Sequence, residues 1–141
     1  MSKKFTAAER KLIQKRSKYR CEYCLLLEKY MDCVNEHIIA SSLGGTDKLE
    51  NIANACRRCN AHKYNKIEGY DEQTDQISRF FNPRIDKWND HFRWDDEYIL
   101  ILGLTAIGRV TANSLKMNHP KSRDLRLLMR LGKEHPPEDL I

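Results

Sequence analysis

Two Cys-x-x-Cys pairs, Cys21/Cys24 and Cys56/Cys59, frame the part of this 141-residue sequence where chemistry is concentrated. One pair makes a knuckle; two pairs make a tetrahedral thiolate site of the kind that suits Zn²⁺. Between the pairs lie Glu36-His37, a Gly44-Gly45 turn and Asn51, and Asn60 follows the last cysteine directly. Hydrolysing a phosphodiester requires a better nucleophile than free water and a stabiliser for the departing alkoxide. A neutral imidazole can take the proton from water, and a divalent cation can stabilise the developing charge.

His37 is therefore the candidate general base. Glu36 and Asn60 offer a carboxylate and an amide oxygen, a donor set for Mg²⁺ or Mn²⁺ with waters and substrate phosphate completing the shell. Asn51, opposite His37 across an expected hairpin, can hydrogen-bond the loop backbone and hold the histidine in place. Neighbours on a strand point to opposite faces, so Glu36 and His37 converge on one site only if the strand ends or twists there. Each residue alone has an ordinary structural use, a His-Glu contact or an Asn turn. Their joint occurrence inside a four-cysteine frame is what points to hydrolysis. Cys33 is left over and reads as a small buried side chain. His62, two residues after Asn60, points off the same helical face and is not chosen as a ligand.

The elements that must position these groups follow from caps, turns and periodicity. Thr6-Ala7-Ala8-Glu9 fits a capping box, so a helix starts at about Ala7 and runs to about Lys18, with Ala8, Leu12 and Ile13 as a narrow apolar stripe. Leu25 to Met31 is ambiguous between helical turn and strand. Cys33 to Ala40 reads as a strand, the glycines permit a positive-φ loop, Leu49 to Ala55 returns antiparallel, and a short helix opens at Cys59-Asn60. Further on, Gly69 to Gln76 reads as an acidic loop and Asn82-Pro83 as a turn. Trp88, Phe92 and Trp94 suit core packing better than base stacking. Tyr98 to Leu104 reads as a strand, Thr105 as the N-cap of a helix to about Lys116, and Pro120 as the start of a last helix carrying Leu125, Leu128, Met129 and Leu131.

The composition is 40% hydrophobic and 32% charged, which excludes a disordered or membranous chain. No run approaches the ~18 apolar residues of a membrane span, and the basic N-terminus lacks the apolar core of a secretory signal. Free thiols then read as metal ligands, and a cytoplasmic setting is expected. The formal charge is +5 with a pI near 9.0, and it is unevenly spread. Lys3 to Arg20 carries eight cations against Glu9 alone. Arg57, Arg58, Lys63 and Lys66 form a second basic cluster, while acids gather at Glu68 to Asp75 and Asp86 to Glu97. Separate basic faces suggest a polyanion partner, although the N-terminal helix is equally readable as a solvated surface helix packed on the zinc site.

Cys21-x-x-Cys24, Glu36-His37-Ile38-Ile39, Gly44-Gly45, Leu49-Glu50-Asn51-Ile52 and Cys56-Arg57-Arg58-Cys59-Asn60-x-x-Lys63 resemble the HNH endonuclease family over residues 20 to 66. The tail, Phe81-Asn82-Pro83-Arg84 through Trp94 and Gly103-Leu104-Thr105-x-x-Gly108-Arg109, is similar to the C-terminal extension of small bacterial HNH proteins common in cyanobacteria. The resemblance implies an α+β protein: a zinc-clamped, treble-clef-like ββα-metal core with an N-terminal helix and a C-terminal β-hairpin and helical extension. The corresponding division is 1–20, 21–68 and 69–141, the last packed on the core. The implied activity is cleavage of DNA with one catalytic divalent cation. Placed by position, His37 is the base, Glu36 stands where the family usually has an Asp ligand, and Asn51 fixes the loop. Asn60 fills the last motif position, often His, so the motif reads HNN. Ala40 stands where Pro is frequent. The alternative is a zinc-stabilised nucleic-acid-binding module that does not cleave. Either would act as monomer or homodimer on DNA.

Overall fold

The structure, a computed structural model, describes residues 4–138 and divides into two compact units, Met1–Ile67 and Glu68–Ile141. In the first, Thr6 caps α1 (Ala7–Arg16) through the capping box: its hydroxyl accepts from the Glu9 amide and Glu9 returns the bond to the Thr6 amide. Of the expected apolar stripe only Ile13 is buried, and Leu12 faces solvent. Polar clamps hold the helix instead. Arg10 reaches Asn35 and Asn54 at 2.8 and 2.7 Å and Glu28 and the Cys33 carbonyl at 3.1 Å. Arg16 donates to the carbonyls of Leu49 and Ile52. Two cations of the basic N-terminal segment are thus committed to holding the hairpin.

That hairpin pairs β1 (Cys33–His37) with β2 (Ile52–Cys56) antiparallel, His37 facing Ile52 and Cys33 facing Cys56. The expected strand from Leu49 starts three residues late, because Leu49–Asn51 closes a 3₁₀ turn on the Lys48 carbonyl. β2 is buried along its whole length. It runs directly into α2 (Arg57–Lys63), whose N-cap is Cys56. The region Leu25 to Met31 is neither helix nor strand but a set of turns with one bridge, Arg20 to Leu27.

The second unit begins with a correction. The acidic stretch expected as a loop at Gly69 to Gln76 is a hairpin, β3 (Glu68–Asp71) and β4 (Gln76–Arg79). Its pinning group is Asp71, 3% exposed, which accepts two bonds from Arg109, 2.8 and 3.0 Å, and two from Thr74. A second hairpin joins β5 (Phe92–Trp94) to β6 (Ile101–Gly103), after the short α3 (Trp88–His91), so the strand expected over Tyr98 to Leu104 is only its centre. Asp95 ties the turn, accepting from the amides of Ile99 and Leu100. α4 (Ala106–Ser114) starts on the Thr105 cap as expected. A Cβ on Gly108 would stand 2.0 Å from the His91 carbonyl oxygen, so the helix passes His91 only because that residue is glycine.

Trp88, Phe92 and Trp94 are buried, as core packing requires, and so are Phe81, Ile101, Val110, Leu115 and Met117. α5 (Pro120–Leu131) buries Ser122, Arg126 and Met129, while Leu128 and Leu131 stay exposed. The leucine spacing is therefore not the seam. Arg126 is, its guanidinium donating to the carbonyls of Ile99 and Met117 and lying 5.5 Å from the Trp94 ring centre.

Candidate active site and zinc centre

The four cysteines converge. Cys21, Cys24, Cys56 and Cys59 are buried and their sulfurs lie within 4.8 Å of one another. Cys24 and Cys56 Sγ are 3.7 Å apart, against ~3.8 Å for the edge of a thiolate tetrahedron with Zn–S bonds of about 2.3 Å. The amides of Cys24 and Cys59 donate to Cys21 and Cys56 Sγ at 3.5 and 3.4 Å, so each Cys-x-x-Cys turn already stabilises a thiolate. The Cys56 and Cys59 thiols are pushed up first by hydrogen bonds to Cys21 and Cys24 and then by burial. These two crowded thiols resist ionising until a cation takes their charge, and the four-sulfur donor set suits Zn²⁺. Cys33 stays outside the cluster, half-buried, its thiol raised by burial.

The second Cys-x-x-Cys turn joins β2 to α2 at Cys56. Asn35, Glu36, His37, Ala40, Ser41, Ser42, Asn60 and Tyr64 line one polar cleft of about 310 Å³. Glu36, His37 and Asn60 all line that cleft, although the Glu36 side chain itself is almost wholly buried. The His37 ring is tied by Nε2 to the Asp47 carboxylate at 2.7 Å. A carboxylate can only accept, so Nε2 carries a proton in this contact, and in the neutral ring the lone pair then lies on Nδ1. Sequence reasoning missed Asp47. Its only signal is a carboxylate just past Gly44-Gly45 in a loop that must fold back beside the histidine.

Asn51 builds that loop. Its amide group donates to the carbonyls of Ile39 and Thr46, its side-chain oxygen accepts from the Ile39 amide, and its own carbonyl accepts from Ile38. Gly44 takes φ 90°, while Gly45 is needed for room: a Cβ there would stand 1.7 Å from the Ile39 carbonyl oxygen. One glycine serves the backbone turn, the other the close approach on which Asn51 closes.

Glu36 and Lys63 are where the interior differs most from expectation. Lys63, expected among the DNA-contacting cations, is 1% exposed. Its ammonium lies 2.5 Å from Glu36 Oε1 and donates to the Ile38 and His37 carbonyls at 2.8 and 3.3 Å. Glu36 Oε2 accepts from the Tyr23 hydroxyl at 2.8 Å. Burial raises the Glu36 carboxyl above its usual range and the Lys63 charge opposes that rise. Burial, then Glu36, pushes the Tyr23 phenol up. A carboxylate offers about four lone-pair sites, so Glu36 retains acceptor capacity beyond these two partners. Arg57 and Lys66 are exposed and Arg58 is half-exposed. His62 takes no place in the cleft.

The site is thus a strand–strand–helix unit bracketed by the cysteine cluster, with a histidine at the strand end and an asparagine on the helix. Residues 21–74 match the family model described as HNH endonuclease. No curated protein and no solved structure matches the chain. Among the described residues no helix is long and apolar enough to cross a membrane.

Proposed function

We propose that this protein is a metal-dependent DNA endonuclease that hydrolyses phosphodiester bonds, with His37 as general base and a ββα-metal core clamped by structural Zn²⁺. The observation that carries the reading is the cleft shared by His37, Glu36 and Asn60 inside the HNH segment, with the His37 ring bonded through Nε2 to Asp47. His37 Nδ1 takes the proton from the attacking water, and Asp47 holds the ring in the tautomer that leaves Nδ1 free to do so. Asn51 keeps the loop that carries Asp47 closed on β1. Glu36 and Asn60 would hold Mg²⁺ or Mn²⁺, whose contribution is to stabilise charge on the phosphate and leaving oxygen. Arg57, Arg58 and Lys66 supply backbone contacts to DNA; Lys63 is spent on Glu36 and the β1 carbonyls. One site per chain nicks one strand, and a double-strand break needs a homodimer or two events.

One observation favours the alternative, a zinc-stabilised nucleic-acid-binding module without activity. Glu36 already holds an ammonium at 2.5 Å, and a cation must share or displace it. Supercoiled-plasmid cleavage with Mg²⁺, Mn²⁺ or EDTA decides between the two. The nuclease reading expects metal-dependent nicking that falls about 10²–10⁴-fold in His37→Ala, with melting and DNA affinity unchanged. A zinc-loaded wild type that binds DNA and never cleaves it is the binding module.

A further inference from the structure

Tyr64 closes α2 at the rim of the cleft, and two features of it go unexplained by folding. Its backbone sits at φ 53°, ψ −116°, a conformation open to glycine and strained for a residue with a Cβ. Its side chain is 76% exposed, the most exposed aromatic among the described residues, so no packing offsets that strain. The amide of Tyr64 donates to the Asn60 carbonyl at 2.9 Å. The ring is thus carried on the end of the helix that presents Asn60, not on a loose loop. Around it the cleft offers Ser41 and Ser42, side chains that hydrogen-bond sugars and phosphates rather than bury apolar groups.

A solvent-facing aromatic ring on the helix end, beside polar hydrogen-bonding groups, matches one ligand chemistry well, a nucleobase flanking a phosphate. Bases within a duplex have both faces covered by their neighbours, so such a ring reaches only a base that is unpaired or turned out of the stack. We propose that Tyr64 is a stacking platform for an unpaired nucleobase next to the phosphate in the cleft. The inference rests on the nuclease reading above and adds to it a preference for single-stranded or locally opened DNA.

The test measures binding of the zinc-loaded full chain to a fluorescent single-stranded oligonucleotide and to the matching duplex, by anisotropy without added divalent cation. Tyr64→Gly is expected to weaken single-strand affinity roughly 5- to 100-fold and duplex affinity far less. Tyr64→Phe and Tyr64→Trp should keep it, because the ring and not the hydroxyl does the stacking. Tyr64→Gly should also melt no lower than wild type, since glycine relieves the backbone, which separates lost stacking from lost fold. Equal affinity of wild type and Tyr64→Gly overturns the proposal, and so does a loss in Tyr64→Phe as large as in Tyr64→Gly. A wild type that binds single-stranded DNA through Tyr64 yet cleaves no substrate sinks the nuclease reading alone. A wild type that binds no DNA at all sinks both.

Discussion

In Met1–Ile67 the interior is built from thiols, ion pairs and amides; in Glu68–Ile141 it is built from aromatic rings. The first unit buries Ile13, Tyr23, Leu25, Leu26, Ile38 and Ile52, but its other buried apolar positions are four cysteines and two alanines. Its order comes from Arg10, Arg16, Asn51, Asn54 and Lys63, each spending donors on backbone or buried acceptors. In the second unit Trp88 stacks obliquely on Phe92 and Trp94 at 5.1 and 5.4 Å, and Phe81 meets Phe92 edge-on at 5.3 Å. Each such ring removes about 150–250 Å² from water, roughly 4–6 kcal/mol on transfer. A unit that must expose a polar cleft and bury a carboxylate beside it has little room for such rings. It obtains rigidity from a metal site and directional bonds instead.

The sharpest break in that comparison is loss of zinc. Cys59→Ser, or chelation at neutral pH, removes a contribution on the order of 10 kcal/mol from the first unit and none from the aromatic core of the second. Two-dimensional amide spectra should lose the dispersed signals of residues up to Ile67 and keep those of Trp88, Trp94 and α4. A spectrum unchanged throughout would mean that the cysteine cluster is incidental to the fold, and the contrast between the units would fall.

How much of this could be read beforehand follows the same division. The Thr6 and Thr105 caps, Pro120 and the paired cysteines are local signals, and α1, α4, α5 and the thiolate cluster stand where those signals put them. The β3–β4 hairpin was not legible. It buries no apolar stripe, its cross-strand pair Tyr70–Ile77 faces solvent, and the charge partner of Asp71 is Arg109, 38 residues away. Arg126 misleads for the same reason: its carbonyl partners come from the β5–β6 turn and the end of α4, so the helical leucine spacing pointed to the wrong face. In the site, His37, Glu36, Asn51 and Asn60 could be singled out by type and spacing. That Lys63 turns inward and Asp47 reaches the imidazole could not, because both depend on how the loop and helix close in space.

A smaller effect sharpens what the first unit's polar interior is worth. Lys63→Met leaves the Glu36 carboxylate buried without its cation, an expected cost of about 3–5 kcal/mol in urea unfolding of the zinc-loaded protein. Adding Glu36→Gln removes the orphaned charge, and the double variant should recover most of the loss. Equal destabilisation of single and double variants would show that Lys63 acts through the His37 and Ile38 carbonyls, not through the ion pair.

The least of the expected effects concerns acid, and it lies in the second unit. The Arg109 hydrogen bonds, aided by Thr74, hold the Asp71 carboxyl well below the usual carboxylate range, and Arg79 lowers Asp86 in the same direction. A folded-state pKa depressed in this way contributes stability that is fully present above the unfolded value, about 4. That contribution fades as pH falls from there toward the folded value, because the unfolded chain takes up the proton first. The protection factors of the β3 and β4 amides, taken against the intrinsic exchange rate at each pH, should therefore fall below about pH 4. Asp71→Asn should exchange faster already at neutral pH and show a flatter acid limb. An acid limb as steep in Asp71→Asn as in wild type would move the effect to Asp86 and leave the hairpin pinned by something other than the Asp71–Arg109 pair.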